Sequence, residues 1–345
     1  MSLATAIRTG DVRELPSRRD EDWRWTDLAG LIRAMPPASP PGDAAALGAG
    51  AFDALADDTI VFLNGRRLSG EGVLRVAAGE QRRVALRFVA QASGTAHHAS
   101  IAIEVAAGGD LALFESHEGP GAGYVADAGL DIRLGEGARV ERIALIDEAD
   151  DAVAVVTGNV ALARRASFAQ SALTRGAKRQ RFETRVTHGE GAHLRLDGGY
   201  LLDGERRGDL TSEVMHAHAG GATTQLTKGC VRDQARAVFQ GRIVVARGAD
   251  GTDARMGHHA LILSERAGVD AKPELEIYAD DVSCSHGNTV GALDEEALFY
   301  MQQRGLPEAE ARSVLTRAFV GEVVDRIEHA GAREIARAWV AERLR

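Results

Sequence analysis

The sequence predicts a mainly β protein whose core is a β-helix, or solenoid, with helical regions before and after it. Two observations predict this fold. Between residues 58 and 280, short β-type runs follow one another with turn residues between them and no long helical stretch. A turn phrase that contains glycine also recurs about every 30 residues, which is typical of stacked coils. The aromatic content of 5% suits the flat interior of such a stack.

Residues 1–57 are predicted to form a helical cap followed by a proline-rich linker. The segment SRRDEDWRWTDLAGLIRAM places Trp23, Leu28, Leu31 and Ile32 at roughly helical spacing. The next segment, PPASPPGDAAALGAG, carries four of the eight prolines, and proline fixes φ and removes a backbone donor. The start of the chain has no apolar stretch behind a basic head, so we expect no signal peptide.

Residues 58–290 are predicted to be the β-helix core. The glycine of the turn phrase recurs at separations of 30, 28, 54, 30 and 30 residues, and 54 is close to two periods with one degraded copy. One coil cannot bury its own apolar face, so stacked coils share a continuous core with glycine at the tight corners. A two-sheet sandwich also gives short strands and glycine turns and is the alternative. The repeated glycines are Gly79, Gly109, Gly137, Gly191, Gly221 and Gly251.

Residues 291–345 are predicted to be helical. Asp294 is suited to cap the first helix, Gly305 ends that helix, and Pro307 opens the second one. The second helix carries an apolar stripe with i, i+3, i+4 spacing, which either packs against the parent domain or docks a partner. The stripe comprises Ala311, Val314, Leu315, Ala318, Phe319, Val323 and Ile327, and the last helix carries Ile335, Trp339 and Leu344.

Composition and charge restrict the function classes. The formal net charge is −9 and the pI about 5.7, so we expect no binding to nucleic acid or to anionic membranes. Two cysteines cannot form a disulfide framework, which favours a reducing cytoplasm. No run of ~18 apolar residues occurs, so we expect no membrane span.

Cys284 and His286 form the candidate site. In an extended strand, residues i and i+2 point to the same side, so a thiolate and an imidazole could reach one metal or iron–sulfur unit. Two ligands do not complete a structural metal site, which normally has four. The alternatives are that Cys284 is a small buried hydrophobe and that His286 is an ordinary turn histidine.

The other histidines and the second cysteine give weaker signals. The pairs His97–His98, His216 with His218, and His258–His259 lack a third ligand nearby in sequence, and a polar ladder on one face of the solenoid explains them better. Cys230 is predicted to be a buried structural thiol. The sequence holds no GxxxxGK[ST], GxSxG, HExxH or CxxC motif, so a nucleotide site, if needed, belongs to another subunit.

The region from residue 235 to residue 319 resembles the C-terminal half of the SufB/SufD family of iron–sulfur cluster assembly proteins. The resemblance lies in ARAVFQGRIVVARGADGTDA and in KPELEIYADDV, CSHG, TVG, LDEEALFY and RG. DEDWRWTDL is similar to the family's helical entry segment. Ser285 and Gly287 stand where the scaffold member SufB carries glutamates. His258 and His259 stand near the position of a SufB cysteine, so the pattern is that of SufD.

The resemblance implies a right-handed parallel β-helix and a non-catalytic subunit that pairs with SufB and with two copies of the ATPase SufC in the cytoplasm. It implies a site at the SufB interface where His286, the candidate metal ligand, and Cys284 share a transient iron–sulfur cluster or iron. No cofactor is expected in the isolated chain, which we expect to form a homodimer. The helical C-terminal region would dock the ATPase through Leu315, Phe319 and Val323.

Two functions from other classes remain open at this stage. A β-helix enzyme that acts on polysaccharides would use acidic residues on the solenoid face, and Asp203, Asp280 and Asp281 are candidates. The few aromatic residues and the absence of a secretion signal argue against such an enzyme. A purely structural solenoid, with no role in cluster assembly, is the second alternative.

Overall fold

The computed structural model describes residues 1–70 and 72–344. In this part of the chain, strands β1 to β18 are followed by helices α2 to α4, and α1 precedes them all. In chain order the strands are β1 (Asp58–Leu63), β2 (Arg66–Arg67), β3 (Val73–Val76), β4 (Gln81–Val89), β5 (Ala96–Val105), β6 (Asp110–Glu118), β7 (Val125–Leu134), β8 (Arg139–Asp147), β9 (Val153–Leu162), β10 (Ser167–Thr174), β11 (Arg179–His188), β12 (His193–Leu202), β13 (Arg207–His216), β14 (Ala222–Val231), β15 (Arg236–Val245), β16 (Thr252–Ile262), β17 (Gly268–Ile277) and β18 (Val282–Gly291).

The strands form two sheets that make the two walls of a parallel β-helix of about eight turns. The even-numbered strands from β4 onwards, together with β1 and β2, build a ten-stranded sheet, which we call the even sheet. The odd-numbered strands from β3 to β17 build an eight-stranded sheet, the odd sheet. The strands described here pair in parallel from coil to coil, while β1–β2 and the isolated bridge between Ala177 and Arg207 are antiparallel. The β-helix prediction is therefore confirmed, and the sandwich alternative is wrong.

One corner of the solenoid explains the glycine period and its gap. At this corner a residue with φ between 56° and 71° recurs in successive coils, in the left-handed region that glycine adopts without strain. The prediction chose Gly109 and Gly221, each of which lies one residue after the left-handed position. The copy missing from the glycine series is Arg165, a non-glycine residue at φ 56°. The corner positions are Gly79, Gly108, Gly137, Arg165, Gly191, Gly220 and Gly251.

The lumen of the β-helix is the main hydrophobic core. Alternate residues of each strand point inward, and they stack on the residues in register one coil above and below. One such row on the even sheet contains Phe168, Leu194 and Ala254, all of them buried. Polar side chains also lie in the lumen, and they bond to one another, such as Gln225 with Ser212 at 2.9 Å and Arg142 with Glu115 at 2.7 Å.

The N-terminal region differs from the prediction. It contains α1 (Leu3–Thr9) and four single 3₁₀ turns, but no α-helix covers Trp23 to Ile32. Leu28 and Ile32 pack against the outer face of the odd sheet. The backbone here forms short local turns, with the Ile32 N–H donating to the Leu28 carbonyl oxygen at 2.9 Å. Arg181 ties the segment to the odd sheet, because it donates to the Asp22 carbonyl oxygen at 2.5 Å and lies 4.2 Å from the Trp23 ring. Contacts with the sheet thus override a helical pattern.

The C-terminal helices are α2 (Glu295–Gln303), α3 (Glu308–Asp325) and α4 (Ala330–Arg343). Asp294 caps α2 through its side chain, as predicted. Helices α3 and α4 cover the outer face of the even sheet and form a second core with it. Buried Asp197 bonds to Arg326 at 3.0 Å and to Arg195 at 2.8 Å at this interface. Across the described residues, no helix combines the length and the apolar character needed to cross a bilayer.

Candidate functional site at the open end of the β-helix

The last coil of the β-helix has no coil stacked on it. β17 is the edge strand of the odd sheet, and β18 is the edge strand of the even sheet. Lumen-facing residues are buried in earlier coils, whereas most of β18 is exposed. Apolar side chains at this end are also exposed, with 42% of Ile277, 58% of Tyr278 and 43% of Val290 accessible to solvent. We call this surface, formed by β17, β18 and the turn between them, the open end.

Cys284 and His286 lie in the lumen-facing row of β18. They are in register with Ala254 and Met256 of β16, which are both buried. The predicted common orientation of the two side chains is therefore supported by the pairing of the strands. Cys284 is half-buried and packs against the end of the core, whereas His286 is exposed. The lumen-facing row, which is buried in β16, thus leaves a thiol and an imidazole accessible at the open end.

The protonation of Cys284 follows from its position. Burial raises the pKa of the Cys284 thiol, and the nearby Asp253 carboxylate raises it further, while the Ala254 backbone opposes this in part. A thiol with a raised pKa is mostly protonated near neutral pH and is a poor metal ligand until its proton is lost. His286 is therefore the more available ligand of the two in this chain.

Two histidines of β16 lie next to this row. His258 faces the lumen beside Asn288, and its Nδ1 lies 2.7 Å from Asn288 Oδ1. His259 faces outward beside Thr289, with Nδ1 2.7 Å from Thr289 Oγ1. Both rings thus bridge the last two coils, as expected for members of a polar ladder.

Of the remaining predicted residues, Asp280 and Asp281 lie in the turn between β17 and β18, whereas His216, Cys230 and Asp203 belong to earlier coils. His216 stacks on His188 inside the lumen with ring centroids 4.1 Å apart, and both rings contact the Thr223 hydroxyl group. Cys230 is buried between the even sheet and the helices, and burial raises its pKa to about 12, as expected of an inert structural thiol. Asp203 is held by Arg232 at 2.9 Å and by Arg206, so it is not a free acid.

No group of three or more His, Cys, Asp or Glu side chains within residues 1–70 and 72–344 is arranged to hold a metal ion. Cys284 and His286 are therefore an incomplete ligand set in this chain. Stable coordination of a cluster or an iron ion there requires ligands from another protein.

The predicted docking stripe divides into a buried and an exposed part. Val323 is fully buried against the even sheet, and Leu315 is partly buried there. Phe319 is also partly buried, with the Lys228 ammonium group 4.5 Å from its ring. These three residues thus attach α3 to the β-helix.

The sequence prediction placed Val314 in its apolar stripe but missed Phe299 and Tyr300, the most exposed apolar side chains of the helical region. Phe299 and Tyr300 of α2 are 61% and 59% exposed, and Val314 of α3 is 40% exposed. The adjacent aromatic residues in LDEEALFY were the available signal, because only one face of a short surface helix can be buried. We call Phe299, Tyr300 and Val314 the exposed helical patch.

Comparisons with known proteins agree on one family. A model of the family described as "SUF system FeS cluster assembly, SufBD core domain" matches residues 88–319. The chain is similar to the iron–sulfur cluster assembly protein SufD of Escherichia coli, with 29% identity over 391 aligned positions that cover 99% of this chain and 91% of that protein.

Two further relatives match parts of the chain. An iron–sulfur cluster assembly SufBD family protein of Synechocystis is 36% identical over 201 residues, which cover 57% of this chain and 44% of that protein. The SufD protein of Bacillus subtilis is 31% identical over 131 residues, which cover 38% of this chain and 30% of that protein. The chain thus spans less than half the length of the Synechocystis and Bacillus relatives.

Proposed function

The chain belongs to the SufB/SufD family of iron–sulfur cluster assembly proteins, as a SufD member, and from this premise we propose that it presents ligands to a nascent cluster at a junction with SufB. The observation that carries the proposal is the open end. There, His286 is exposed and Cys284 half-exposed, whereas Met256 and Ala254, their register partners in the coil below, are buried. The iron–sulfur cluster or iron is cargo in this proposal and is shared with SufB, which supplies the missing ligands.

The backbone of the open end suits this junction. An edge strand has unpaired N–H and C=O groups that another strand can satisfy, and β17 and β18 provide two such edges side by side. The exposed Ile277, Tyr278 and Val290 add apolar surface whose burial would stabilise a complex. The same features support self-association of the isolated chain as a homodimer.

The ATPase SufC is the second proposed partner, and it binds the helical region. The exposed helical patch supplies the apolar contact, and the first turns of α2 and α3 carry the acidic residues Glu295, Glu296, Glu308 and Glu310. Because the sequence holds no phosphate-binding motif, ATP hydrolysis is assigned to SufC, and this chain acts as a non-catalytic subunit. The proposed location of the complex is the cytoplasm.

The test is cluster reconstitution in the assembled complex. Tagged chain is purified with SufB and SufC, the complex is reconstituted without oxygen, and the cluster is followed by absorbance. We expect His286→Ala to assemble normally and to lose most of the cluster signal, because the exposed ring is not part of the core. The matched control is His193→Ala, which removes an exposed histidine from an earlier coil. A full cluster signal in His286→Ala would refute the assignment of the site.

A further inference from the structure

A chain of hydrogen bonds runs from the lumen to the open end. Tyr200 is buried in β12, and its hydroxyl group lies 2.9 Å from Nε2 of His258. His258 is fully buried and stacks on Phe239 with ring centroids 4.5 Å apart. Its Nδ1 lies 2.7 Å from Oδ1 of Asn288, which is exposed on β18. Tyr200 of β12, His258 of β16 and Asn288 of β18 thus connect core to surface, and the Tyr200 ring lies against Gly229 of the intervening strand β14.

The direction of these hydrogen bonds can be assigned. A neutral imidazole has one N–H donor and one acceptor nitrogen. Within the described residues the Tyr200 hydroxyl group has His258 as its hydrogen-bond partner, so its proton is satisfied only if it donates to Nε2. The proton of His258 is then on Nδ1, and Nδ1–H donates to Asn288 Oδ1. Burial lowers the pKa of His258 to about 4, which agrees with a neutral ring at pH 7.

This order of donors fixes the Asn288 amide. The oxygen atom of the amide accepts from His258, so the NH₂ group is the part that remains available at the open end. Asn288 lies two residues after His286 in the same lumen-facing row of β18. In the part of the chain that the structure describes, its NH₂ group has no hydrogen-bond acceptor.

We propose that Asn288 is a further site residue, whose NH₂ group donates to an anionic sulfur atom of the cargo held beside His286. This inference rests on the proposed function of the open end. The sulfur atom belongs to a thiolate or to a sulfide of the cluster. Hydrogen bonds to such sulfur atoms stabilise their negative charge and raise the reduction potential of a cluster. Tyr200 and His258 act as positioning residues, because they hold the amide in the orientation that presents its donor.

The two strands also provide a matched control. Thr289 accepts or donates one hydrogen bond with His259 at the same distance, 2.7 Å, but on the outer face of the same strand pair. Thr289→Ala therefore removes an equivalent bridge between the same coils without changing the lumen-facing row.

The experiment compares Asn288→Ala, Asn288→Asp and Thr289→Ala in the complex with SufB and SufC. The complexes are reconstituted, separated by size, and diluted into an iron chelator to measure cluster lifetime per assembled complex. We expect a lifetime at least about threefold shorter for Asn288→Ala and about tenfold shorter for Asn288→Asp, because a carboxylate replaces the donor by a negative charge. The reduction potential of the cluster should fall in the same order, and Thr289→Ala should match the wild type.

Asn288→Asp separates the donor role from a structural one. An aspartate still accepts from His258, so a residue that only anchored the last coil would tolerate this change. A wild-type lifetime and potential for Asn288→Asp would overturn the inference while leaving the proposed function in place, provided that His286→Ala loses the cluster. If His286→Ala retains its cluster, the proposed function fails, and this inference fails with it.

Discussion

Gly229 and Tyr200 face each other across β12 and β14, with no space between them for another carbon atom. A Cβ atom on Gly229 would lie 2.0 Å from the Tyr200 ring. We expect Gly229→Ala to lower the free energy of unfolding by about 1–3 kcal/mol, the usual cost of overpacking a core. Urea unfolding monitored by circular dichroism measures this loss.

The control for this substitution is Gly287→Ala, in the exposed edge strand. A Cβ atom there meets nothing within 4 Å, so we expect an unchanged unfolding midpoint. Equal losses for the two variants would contradict the packing argument and point to a general intolerance of alanine in these strands.

At the scale of residues, the sequence predicted the orientation of the site but not its accessibility. Cys284 and His286 point to the same side because strands alternate with period two, and that rule needs no structure. Their exposure depends on β18 being the last strand of its sheet, which is a property of the stack. The role of Asn288 was hidden for the same reason, since its partner His258 is 30 residues away in sequence.

At the scale of elements, α3 has a buried side and an exposed side, and substitutions on them should have different effects. Val323→Asp places a charge in the core between α3 and the even sheet, where Val323 is 0% exposed. We expect it to destabilise the packing of α3 and α4 by several kcal/mol. Limited proteolysis should then cleave the C-terminal helices much faster than in the wild type.

Phe299→Asp is the complementary substitution. Phe299 is 61% exposed on α2, so we expect normal proteolytic resistance but weaker binding of SufC, measured by calorimetry or by co-purification. Unchanged affinity for SufC in this variant would exclude the exposed helical patch as the docking surface. Rapid proteolysis of the variant would show instead that α2 depends on Phe299 for folding.

The stripe of α3 shows why the sequence alone could not separate residues that pack against the β-helix from residues that dock a partner. A helical period of apolar residues identifies one face, and both core packing and partner docking produce such a face. In the N-terminal segment the prediction failed in a different way, because a helical pattern in the sequence did not produce a helix. Its apolar spacing was helical, yet Arg181 and the odd sheet hold it as an irregular strap with a single 3₁₀ turn at Glu21–Trp23.

At the scale of the whole molecule, buried neutral histidines should make the fold sensitive to acid. His188, His216 and His258 are fully buried, and burial lowers their pKa values to about 3, 4 and 4. In the unfolded chain a histidine binds its proton near pH 6.5, so the unfolded state gains protons first as the pH falls. The contribution of these residues to the free energy of unfolding is complete above pH 6.5, and it is lost progressively down to about pH 4 for His216 and His258 and about pH 3 for His188.

Each of these histidines changes the free energy of unfolding by at most about 1.4 kcal/mol per pH unit inside that window. We therefore expect urea midpoints to fall clearly between pH 7 and pH 5. His188→Gln should make this dependence shallower, although it lowers the stability at pH 7. Midpoints that stay constant from pH 7 to pH 5 would contradict the assignment of neutral, buried rings.

The architecture was predictable because the repeat is regular. A corner residue with positive φ recurs in register from Gly79 to Gly251, and glycine fills all of these positions except one. Arg165 interrupts the glycine pattern of the sequence but not the backbone conformation, because its φ of 56° continues the series of corner residues with positive φ. Neighbouring coils hold this corner in place, so a single non-glycine residue costs only local strain of about 1–2 kcal/mol.

The uncovered last coil has a consequence for the cell's control of protein amounts. Under the proposed function, SufB and a second copy of this chain compete for the open end and distribute themselves by mass action, so each self-associated copy would be withdrawn from assembly with SufB. Overproduction of this subunit alone should therefore lower the yield of mixed complexes, and raising SufB in parallel should restore it. Under the proposed function, the ratio of this subunit to SufB, more than the quantity of either, would then set the yield of mixed complexes.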